Sequence, residues 1–423
     1  MIIANGQIYS SEEQDRILAE AEPRISKTLA EKTLSAQTVI NAIDKLGREI
    51  EQGNFDERIN SLPVDAPLYY KKMAVEMLSR EFLEYKLACE LGVNNVGGSF
   101  VKNTVKSRVM PLGVLFHIAA GNMDGLPAFS LVEGLLAGNV NILKLPQADN
   151  GLSVEIIAKL IKYEPELADF IYVFDTPSSD VHAMKKMAEL ADGIAVWGGD
   201  AATAAVRAFA PIGVKLIEWG HKLSFAYIAG YSDKIRELTA LAAHIASTKQ
   251  LLCSSCQVVY LDTESEAELE AFCEEFLPIL ERETERRSPV SIGGRAHTAL
   301  LKHTDFLENI LGNKPVPRLF RGRGCSLIIK TDSELELSDM MCNVIVKPLP
   351  RSDIVPALRR KKNYLQTVGL ICAESERAEL SEIFARCGVT RITTAGAMSA
   401  YFAGEAHDGE YPLRRYTRIV NEE

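Results

Sequence analysis

Cys253 and Cys256 form a Cys-x-x-Cys pair within the segment Gln250-Leu251-Leu252-Cys253-Ser254-Ser255-Cys256-Gln257. A long helical stretch precedes the pair and an apolar strand follows it, so Cys253 falls at a turn from which a thiol can act as a nucleophile. An arbitrary cysteine is more often an inert, buried apolar residue. The spacing also fits a redox pair or half of a zinc site. Zinc needs three or four ligands, and neither a second cysteine pair nor a nearby histidine cluster follows in the sequence, so we predict no metal.

Gly198 and Gly199 follow an apolar segment and precede a helix that begins near Asp200. Their small size permits a pyrophosphate to approach the start of that helix. A tight turn explains the same dipeptide without any ligand, and on its own it is the simpler interpretation. The sequence also lacks the Gly-x-Gly-x-x-Gly fingerprint of common dinucleotide-binding folds.

Four segments together resemble the aldehyde dehydrogenase superfamily in order and spacing. That superfamily places a proline-glycine-valine strand before an asparagine-containing loop, then an Ala-Gly-Asn segment ending in Lys-Pro, then a Glu-x-Gly-Gly-Lys motif and the catalytic cysteine. Here Cys253 follows Glu218 by 35 positions. The matching segments are Pro111–Pro127, Ala137–Pro146, Glu218–Lys222 and Gln250–Gln257.

Further motifs narrow the resemblance to the LuxC-type acyl-CoA reductases. They are Trp197-Gly198-Gly199, Cys253-Ser254-Ser255, Leu365–Gly369, His407-Asp408-Gly409 and Pro412-Leu413, with a helical segment over 34–49. The resemblance implies reduction of a long-chain acyl-CoA or acyl-protein thioester to the aldehyde with NADPH. In bioluminescence systems it also implies an acyl-protein synthetase partner.

The resemblance implies a role for each matching polar residue. Cys253 would be the nucleophile that carries the acyl group, and its backbone N–H and the side-chain amide of Asn122 would stabilise the oxyanion. Cys256 stands where a proline is common in this family, and we interpret it as incidental.

Lys144 would bind the adenosine ribose or its phosphate, and Gly198 and Gly199 would then face the pyrophosphate. NAD-preferring members often carry a glutamate where this chain has Gln147. Losing that carboxylate removes a repulsion against a 2′-phosphate, so Gln147 favours NADPH.

Glu218 leaves the direction of the reaction open. In aldehyde-oxidising members this glutamate activates the water that releases the acid, whereas a reductase would lose its acyl group by such hydrolysis. Trp219 and His221 depart from the oxidising pattern, which favours a reductase with an altered pocket. A lone histidine is more often structural than a proton donor. The alternatives are an NAD(P)-dependent aldehyde dehydrogenase with Glu218 as base, or a non-catalytic interaction protein of the same fold.

Helical and strand-like patterns must position these residues. The first hundred residues are predicted to be helical, with Ser35 as an N-cap and one helical run over 68–91 ending at Gly92. From residue 111, short apolar strands alternate with helices, which predicts parallel sheets in two Rossmann-like α/β lobes. The strand candidates are Gly113–Ala119, Val140–Leu145, Ile171–Phe174, Ile194–Trp197, Val214–Ile217, Val258–Leu261, Ser326–Ile329, Val344–Val346 and Thr367–Cys372.

We therefore predict an α/β, aldehyde dehydrogenase-like chain. Residues 1–222 would hold a helical region and the cofactor-binding lobe, 223–395 the catalytic lobe, and 396–423 a C-terminal tail. The stretches Ser99–Met110 and Tyr416–Val420 have the pattern of extended arms that join subunits in related folds. We accordingly expect a homodimer or a dimer-based oligomer.

Composition excludes several other classes of protein. The 423 residues carry a formal charge of -10, which argues against nucleic-acid binding. Residues 1–16 lack the pattern of a signal peptide, and no window is apolar enough for a membrane span. Eight cysteines are too few for a disulfide scaffold of this length. These features predict a reduced, cytoplasmic protein.

Overall fold

The computed structural model describes residues 1–61, 67–92, 97–102, 105–121, 125–287 and 318–423, together with scattered positions in 293–312. The chain divides into two compact units. The first comprises Met1–Gly220 and Phe402–Glu423, and the second comprises His221–Tyr401. The C-terminal residues therefore fold with the first unit.

Both units contain helices. In chain order they are α1 (Gln14–Glu31), α2 (Ala36–Glu51), α3 (Asp56–Ser61), α4 (Pro67–Met77), α5 (Arg80–Leu91), α6 (Leu126–Leu136), α7 (Leu152–Tyr163), α8 (Val181–Glu189), α9 (Asp200–Phe209), α10 (Lys234–Thr248), α11 (Glu266–Glu285), α12 (Ile354–Leu358), α13 (Glu374–Cys387) and α14 (Pro412–Arg415). Short 3₁₀ turns occupy Ser11–Glu13, Pro165–Phe170, Arg351–Asp353, Arg359–Lys361 and Ala395–Ala397.

The described residues also contain strands, several of which alternate with helices from residue 114 onward. They are β1 (Ile2–Ala4), β2 (Gln7–Tyr9), β3 (Ser99–Lys102), β4 (Val105–Pro111), β5 (Val114–Ile118), β6 (Val140–Lys144), β7 (Ile171–Phe174), β8 (Gly193–Trp197), β9 (Lys215–Trp219), β10 (Leu223–Ile228), β11 (Cys256–Leu261), β12 (Arg318–Gly322), β13 (Cys325–Ile329), β14 (Asn343–Pro348), β15 (Leu365–Ile371), β16 (Arg391–Thr394) and β17 (Thr417–Glu422).

The sheet of the first unit has the strand order β2-β1-β7-β6-β5-β8-β9. The strands from β7 to β9 in this order are parallel, as the sequence predicts, whereas β1 and β2 add an antiparallel edge. The order reverses at β5, whose neighbours are β6 and β8. In open α/β sheets a ligand crevice lies beyond the carboxyl ends of the strands at such a reversal.

The sheet of the second unit has the order β12-β13-β14-β11-β10-β15-β16. All neighbouring pairs are parallel except β12 with β13. The amino ends of β10, β11, β14 and β15 therefore share one edge of the sheet. Cys253 comes shortly before β11 and belongs to that edge.

A separate three-stranded sheet has the order β17-β4-β3, with both pairs antiparallel. The C-terminal strand β17 pairs along β4 from Thr417 opposite Pro111 to Glu422 opposite Lys106. The two extended segments expected from the sequence therefore pair with each other within one chain.

The N-terminal prediction was wrong in two places. Residues 2–9 form the β1–β2 hairpin rather than helix. The helical run predicted over 68–91 is two helices, because the Ser79 hydroxyl accepts from the Phe82 N–H at 3.3 Å and starts α5. Two other features were confirmed: Ser35 caps α2, and Gly92 ends α5 in the left-handed conformation.

Candidate active site

Cys253 lies in the connection between α10 and β11, on residues 249–255. All eight cysteines belong to the described residues; Cys253 is exposed, Cys89 is partly buried and the other six are buried. A thiol must reach its substrate to act as a nucleophile. Exposure therefore distinguishes Cys253 from the other cysteines on physical grounds.

Hydrogen bonds fix the backbone of this connection on both sides of Cys253. The Ser224 hydroxyl donates to the Cys253 carbonyl at 2.7 Å, and the Thr367 N–H donates to the same hydroxyl at 3.1 Å. Leu252 and Ser255 bond reciprocally, since the Leu252 N–H donates to Ser255 Oγ and the Ser255 N–H donates to the Leu252 carbonyl, each at 3.0 Å. The neighbouring strands β10 and β15 thus hold the nucleophile candidate in place.

Cys256 is fully buried at the start of β11. Its thiol donates to the Val258 carbonyl at 3.4 Å, and burial raises its pKa to about 12. The Cys256 N–H donates to Nε2 of His244, whose pKa is lowered to about 4 by burial, so that imidazole is neutral at pH 7. These environments support a structural role for both residues.

Glu218 stands on β9 and is held by Arg207 of α9. Nε and Nη2 of Arg207 donate to the two carboxylate oxygens of Glu218 at 2.5 and 2.6 Å. A bidentate guanidinium matches the two oxygens of a carboxylate and holds it in one orientation. The ring of His221 packs against the ring of Tyr364, with 6.2 Å between the ring centroids.

Lys144 ends β6 at the carboxyl edge of the first sheet. Its side chain is largely buried, and Nζ donates to the Ser178 hydroxyl at 2.8 Å. Burial lowers the pKa of this ammonium group. Ser178 follows β7, the neighbour of β6, so the pair combines a cation and a hydroxyl where parallel strands end.

Gly198 and Gly199 follow β8 and precede α9 at the same edge. A Cβ at Gly198 would lie 3.0 Å from the Cβ of Ala202, whereas one at Gly199 would have no heavy atom within 4 Å in the part of the chain that the structure describes. Gly199 is the N-cap of α9 and has no side chain to cover the first amide groups of the helix. The site therefore combines open space with backbone donors, which suits a phosphate group. Gln147 is exposed just beyond β6.

A family model described as acyl-CoA reductase (LuxC) matches residues 31–419. The chain belongs to the LuxC acyl-CoA reductase family.

A relative of this LuxC-family chain in Vibrio harveyi is named a long-chain acyl-protein thioester reductase. The two are 24% identical over 452 residues, which cover 100% of this chain and 92% of the relative.

Two solved structures are similar to this chain in fold. Glyceraldehyde-3-phosphate dehydrogenase GapN from Methanocaldococcus jannaschii, complexed with NADP, has a TM-score of 0.69 at 11% identity and covers 98% of this chain and 95% of its own. The putative aldehyde dehydrogenase PutA from Anabaena variabilis has a TM-score of 0.64 at 14% identity, covering 97% and 90%. The predicted aldehyde dehydrogenase fold is confirmed.

In the first unit of this LuxC-family chain, the structure brings together some of the predicted residues. Lys144, Gly198 and Gly199 share the carboxyl edge of the first sheet, and Cys253 lies at the amino edge of the second. Asn122 lies outside the described residues. Among those residues, no helix is long and apolar enough to cross a membrane.

Sequence reasoning missed Arg207 and Ser178. Arg207 precedes Glu218 by 11 positions and has no recognisable motif, so only the strand–helix packing reveals the pair. Ser178 lies in the loop after β7, and a search for polar residues beyond the end of each predicted strand would have found it.

Proposed function

We propose that this chain reduces a fatty acyl thioester to the corresponding aldehyde with NADPH, through an acyl group held on Cys253. The single observation that carries the proposal is the exposed Cys253 thiol on a turn fixed by two neighbouring strands, in a chain of the LuxC family. The name of the Vibrio harveyi relative supports a long-chain acyl substrate. The donor is an acyl-CoA or an acyl-protein, the latter supplied by an acyl-protein synthetase partner.

Cys253 performs the acyl transfer. Its sulfur attacks the thioester carbonyl, a new carbon–sulfur bond forms, and the bond to the donor sulfur breaks. The donor leaves as a thiol that takes up the proton released by Cys253, so the step is a thioester exchange. The Cys253 N–H and the Asn122 amide stabilise the oxyanion formed during the attack.

The residues at the carboxyl edge of the first sheet fit a dinucleotide. Lys144 and Ser178 would hold the adenosine ribose with its 2′-phosphate, Gly198 and Gly199 would leave room for the pyrophosphate, and exposed Gln147 adds no negative charge. NADPH, when bound, supplies the hydride for reduction. The NADP complex of the GapN structure supports this choice of cofactor.

Arg207 favours reduction over oxidation. Hydrolysis of the acyl-enzyme needs a general base to activate water, and Glu218 is the candidate base in the alternative aldehyde dehydrogenase reaction. Both carboxylate oxygens of Glu218 accept hydrogen bonds from Arg207, so neither is available to a water molecule while this pair is formed. This pairing supports reduction rather than hydrolysis of the acyl group.

Two parallel assays test the direction of the reaction. One supplies an acyl-CoA and NADPH, and the other supplies an aldehyde and NADP⁺ without CoA. We expect aldehyde formation in the first assay, with the rate kept in the Glu218→Gln variant. Acid production in the second assay, lost by about 10²–10⁴-fold in Glu218→Gln, would identify an aldehyde dehydrogenase instead.

We also propose that the protein is cytoplasmic and forms a homodimer or a dimer-based oligomer through the β17-β4-β3 sheet. The exposed apolar residues Phe100, Val101 and Ile419 on this sheet support the proposal, because a sheet edge with apolar side chains readily pairs with another chain.

A further inference from the structure

Two left-handed backbone segments meet beside Cys253. Lys249 and Gln250 have φ values of 48° and 63°, and Met340, Met341 and Cys342 have values of 55°, 50° and 65°. The Met341 N–H donates to the Lys249 carbonyl at 2.9 Å. Residues with such side chains rarely take this conformation, and it persists where the surrounding structure fixes it. This hydrogen bond therefore joins the two left-handed segments and stabilises both.

Gln250 closes the turn that carries Cys253. It lies three residues before Cys253, and its Nε2 donates to the carbonyl of Cys256, three residues after, at 2.9 Å. The Gln250 N–H donates to Thr248 Oγ1 at 3.3 Å. The side chain is only 1% exposed. A buried amide thus ties the two ends of the turn together.

Gln257 connects this turn to the second left-handed segment. Its Nε2 donates to the Gln250 carbonyl at 2.9 Å. Its Oε1 accepts from the N–H and the hydroxyl of Ser338 at 3.3 and 2.8 Å, and Ser338 Oγ accepts from the Met340 N–H at 3.1 Å. Gln257 is only 3% exposed. One buried side chain therefore bonds directly to the first strained segment and, through Ser338, to the second.

We propose that Gln257, acting through Gln250 and Ser338, is a positioning residue that sets the geometry of Cys253 for acyl transfer. The inference rests on the proposed role of Cys253 as the acyl-carrying nucleophile. A nucleophile reacts efficiently only when its atom is held close to the productive position, and such positions are kept by hydrogen bonds around the reacting residue. The Gln257 side chain fixes the turn at Gln250, the residue with which the turn begins.

The test measures acylation of Cys253 by an acyl-CoA in the absence of NADPH, as the rate at which the acyl mass appears on the protein. Gln257→Leu removes both sets of hydrogen bonds at nearly constant volume. We expect a rate about 10²-fold lower, because a small displacement of a reacting atom has an effect of that size. The acyl-CoA concentration giving half the maximal rate should stay the same, because Gln257 does not contact the substrate.

A second reagent separates positioning from loss of exposure. Iodoacetamide alkylates an exposed thiolate without needing a defined orientation, so its rate at Cys253 should be unchanged in Gln257→Leu. Asn139→Ala is the control, since Asn139 is a buried amide of the first unit whose Nδ2 donates to the Tyr416 carbonyl at 3.0 Å. That variant should lower the unfolding temperature and leave the acylation rate unchanged.

Gln257→Glu is the conservative variant. Its neutral carboxyl can donate to the Gln250 carbonyl and accept from Ser338, whereas its carboxylate cannot donate. The acylation rate relative to wild type should therefore rise as the pH falls. Ser338→Ala removes one hydroxyl and gives the same kind of loss on a smaller scale if Gln257→Leu fails to fold.

The outcomes distinguish this inference from the function on which it rests. Wild-type protein with no acyl group on Cys253 would overturn the proposed function. Wild-type acylation at Cys253, with equal rates in Gln257→Leu or Ser338→Ala, would overturn the positioning role alone. A parallel loss of acylation and alkylation would also overturn it, since that pattern reports a Cys253 thiol that is no longer exposed.

Discussion

The cysteines of this chain show how far the surroundings of a residue decide its chemistry. Cys253 and Cys256 are separated by two serines, yet the first thiol is exposed and the second is buried with its pKa raised to about 12. The difference follows from position, because Cys253 is on the connecting turn and Cys256 is already the first residue of β11. The Cys-x-x-Cys spacing therefore places the two thiols in different environments.

Lys144 is expected to discriminate between NADPH and NADH. A hydrogen bond to a charged group contributes about 1.5–3 kcal/mol, so Lys144→Met should reduce the preference for NADPH by about 10–100-fold. Burial lowers the pKa of Lys144. The wild-type preference should therefore decline, as pH rises, at a lower pH than for an ordinary lysine, because the ammonium group loses its proton.

Lys215→Met is the matched control for this measurement. Lys215 is a partly buried lysine whose pKa is also lowered by burial, but it begins β9 and lies at the opposite, amino edge of the same sheet. Dissociation constants for both cofactors should be unchanged in this variant. An unchanged NADPH preference in Lys144→Met would remove Lys144 from the cofactor site.

Sequence reasoning located residues that belong to motifs and missed those that act through tertiary contacts. Cys253, Lys144 and Glu218 have characteristic neighbours and spacing, so the sequence identifies them as candidates. Arg207 and Gln257 do not, because their partners come together only when a helix packs on a strand or a turn closes. The pairing of Glu218 with Arg207 changes the chemistry expected of Glu218, and no spacing rule contains that information.

At the scale of elements, a buried charge cluster joins α5, α6 and α14. Lys86 Nζ lies 2.5 Å from Glu90 Oε1 and 2.9 Å from Glu133 Oε1, and the Leu413 N–H donates to Glu90 Oε2 at 2.8 Å. Burial raises the pKa of the Glu133 carboxyl, and Lys86 opposes that rise. Lys86 therefore compensates two buried acids.

Lys86→Met should lower the free energy of unfolding by about 3–5 kcal/mol, the usual effect of removing one partner from a buried ion pair. The loss should shrink as pH falls. Without Lys86, the pKa of the Glu133 carboxyl in the folded variant should rise further above the ordinary glutamate value. Between those two pKa values the folded variant binds more protons than its unfolded state, so acidification stabilises the folded variant. Urea unfolding at several pH values measures both effects.

Lys186→Met is the control, because the ion pair that Lys186 forms with Asp15, at 4.0 Å, is exposed. Such surface pairs contribute about 0–1 kcal/mol. A destabilisation of Lys86→Met that stayed constant from about pH 4 to about pH 8 would contradict this explanation.

The elements themselves were predictable where periodicity is strong. The parallel strands β5 to β8 are short apolar runs between helices, and the sequence predicts them within a few residues. The β1–β2 hairpin has only three residues per strand, too few to show an alternating pattern. The break between α4 and α5 depends on a single serine cap within an otherwise helical pattern.

At the scale of the whole molecule, the β17-β4-β3 sheet has exposed apolar side chains, which support the proposed assembly with a second copy of the chain. Val101 is 69% exposed and Ile419 is 54% exposed. We expect light scattering at micromolar concentration to give a dimer or a multiple of one, and Val101→Asp or Ile419→Asp to shift the mass toward the monomer. Ile212→Asp should leave the mass unchanged, since Ile212 is fully exposed outside this sheet. A wild-type monomer would contradict the assembly.

In the proposed reaction Cys253 carries the acyl group. The most direct test of this role is mass spectrometry of the protein after incubation with a long-chain acyl-CoA and no NADPH, with the modified peptide identified. We predict one acyl group on Cys253, absent from Cys253→Ala and retained in Cys256→Ala, with aldehyde appearing once NADPH is added. An acyl group on another residue, or continued acyl-CoA reduction by Cys253→Ala, would contradict the account.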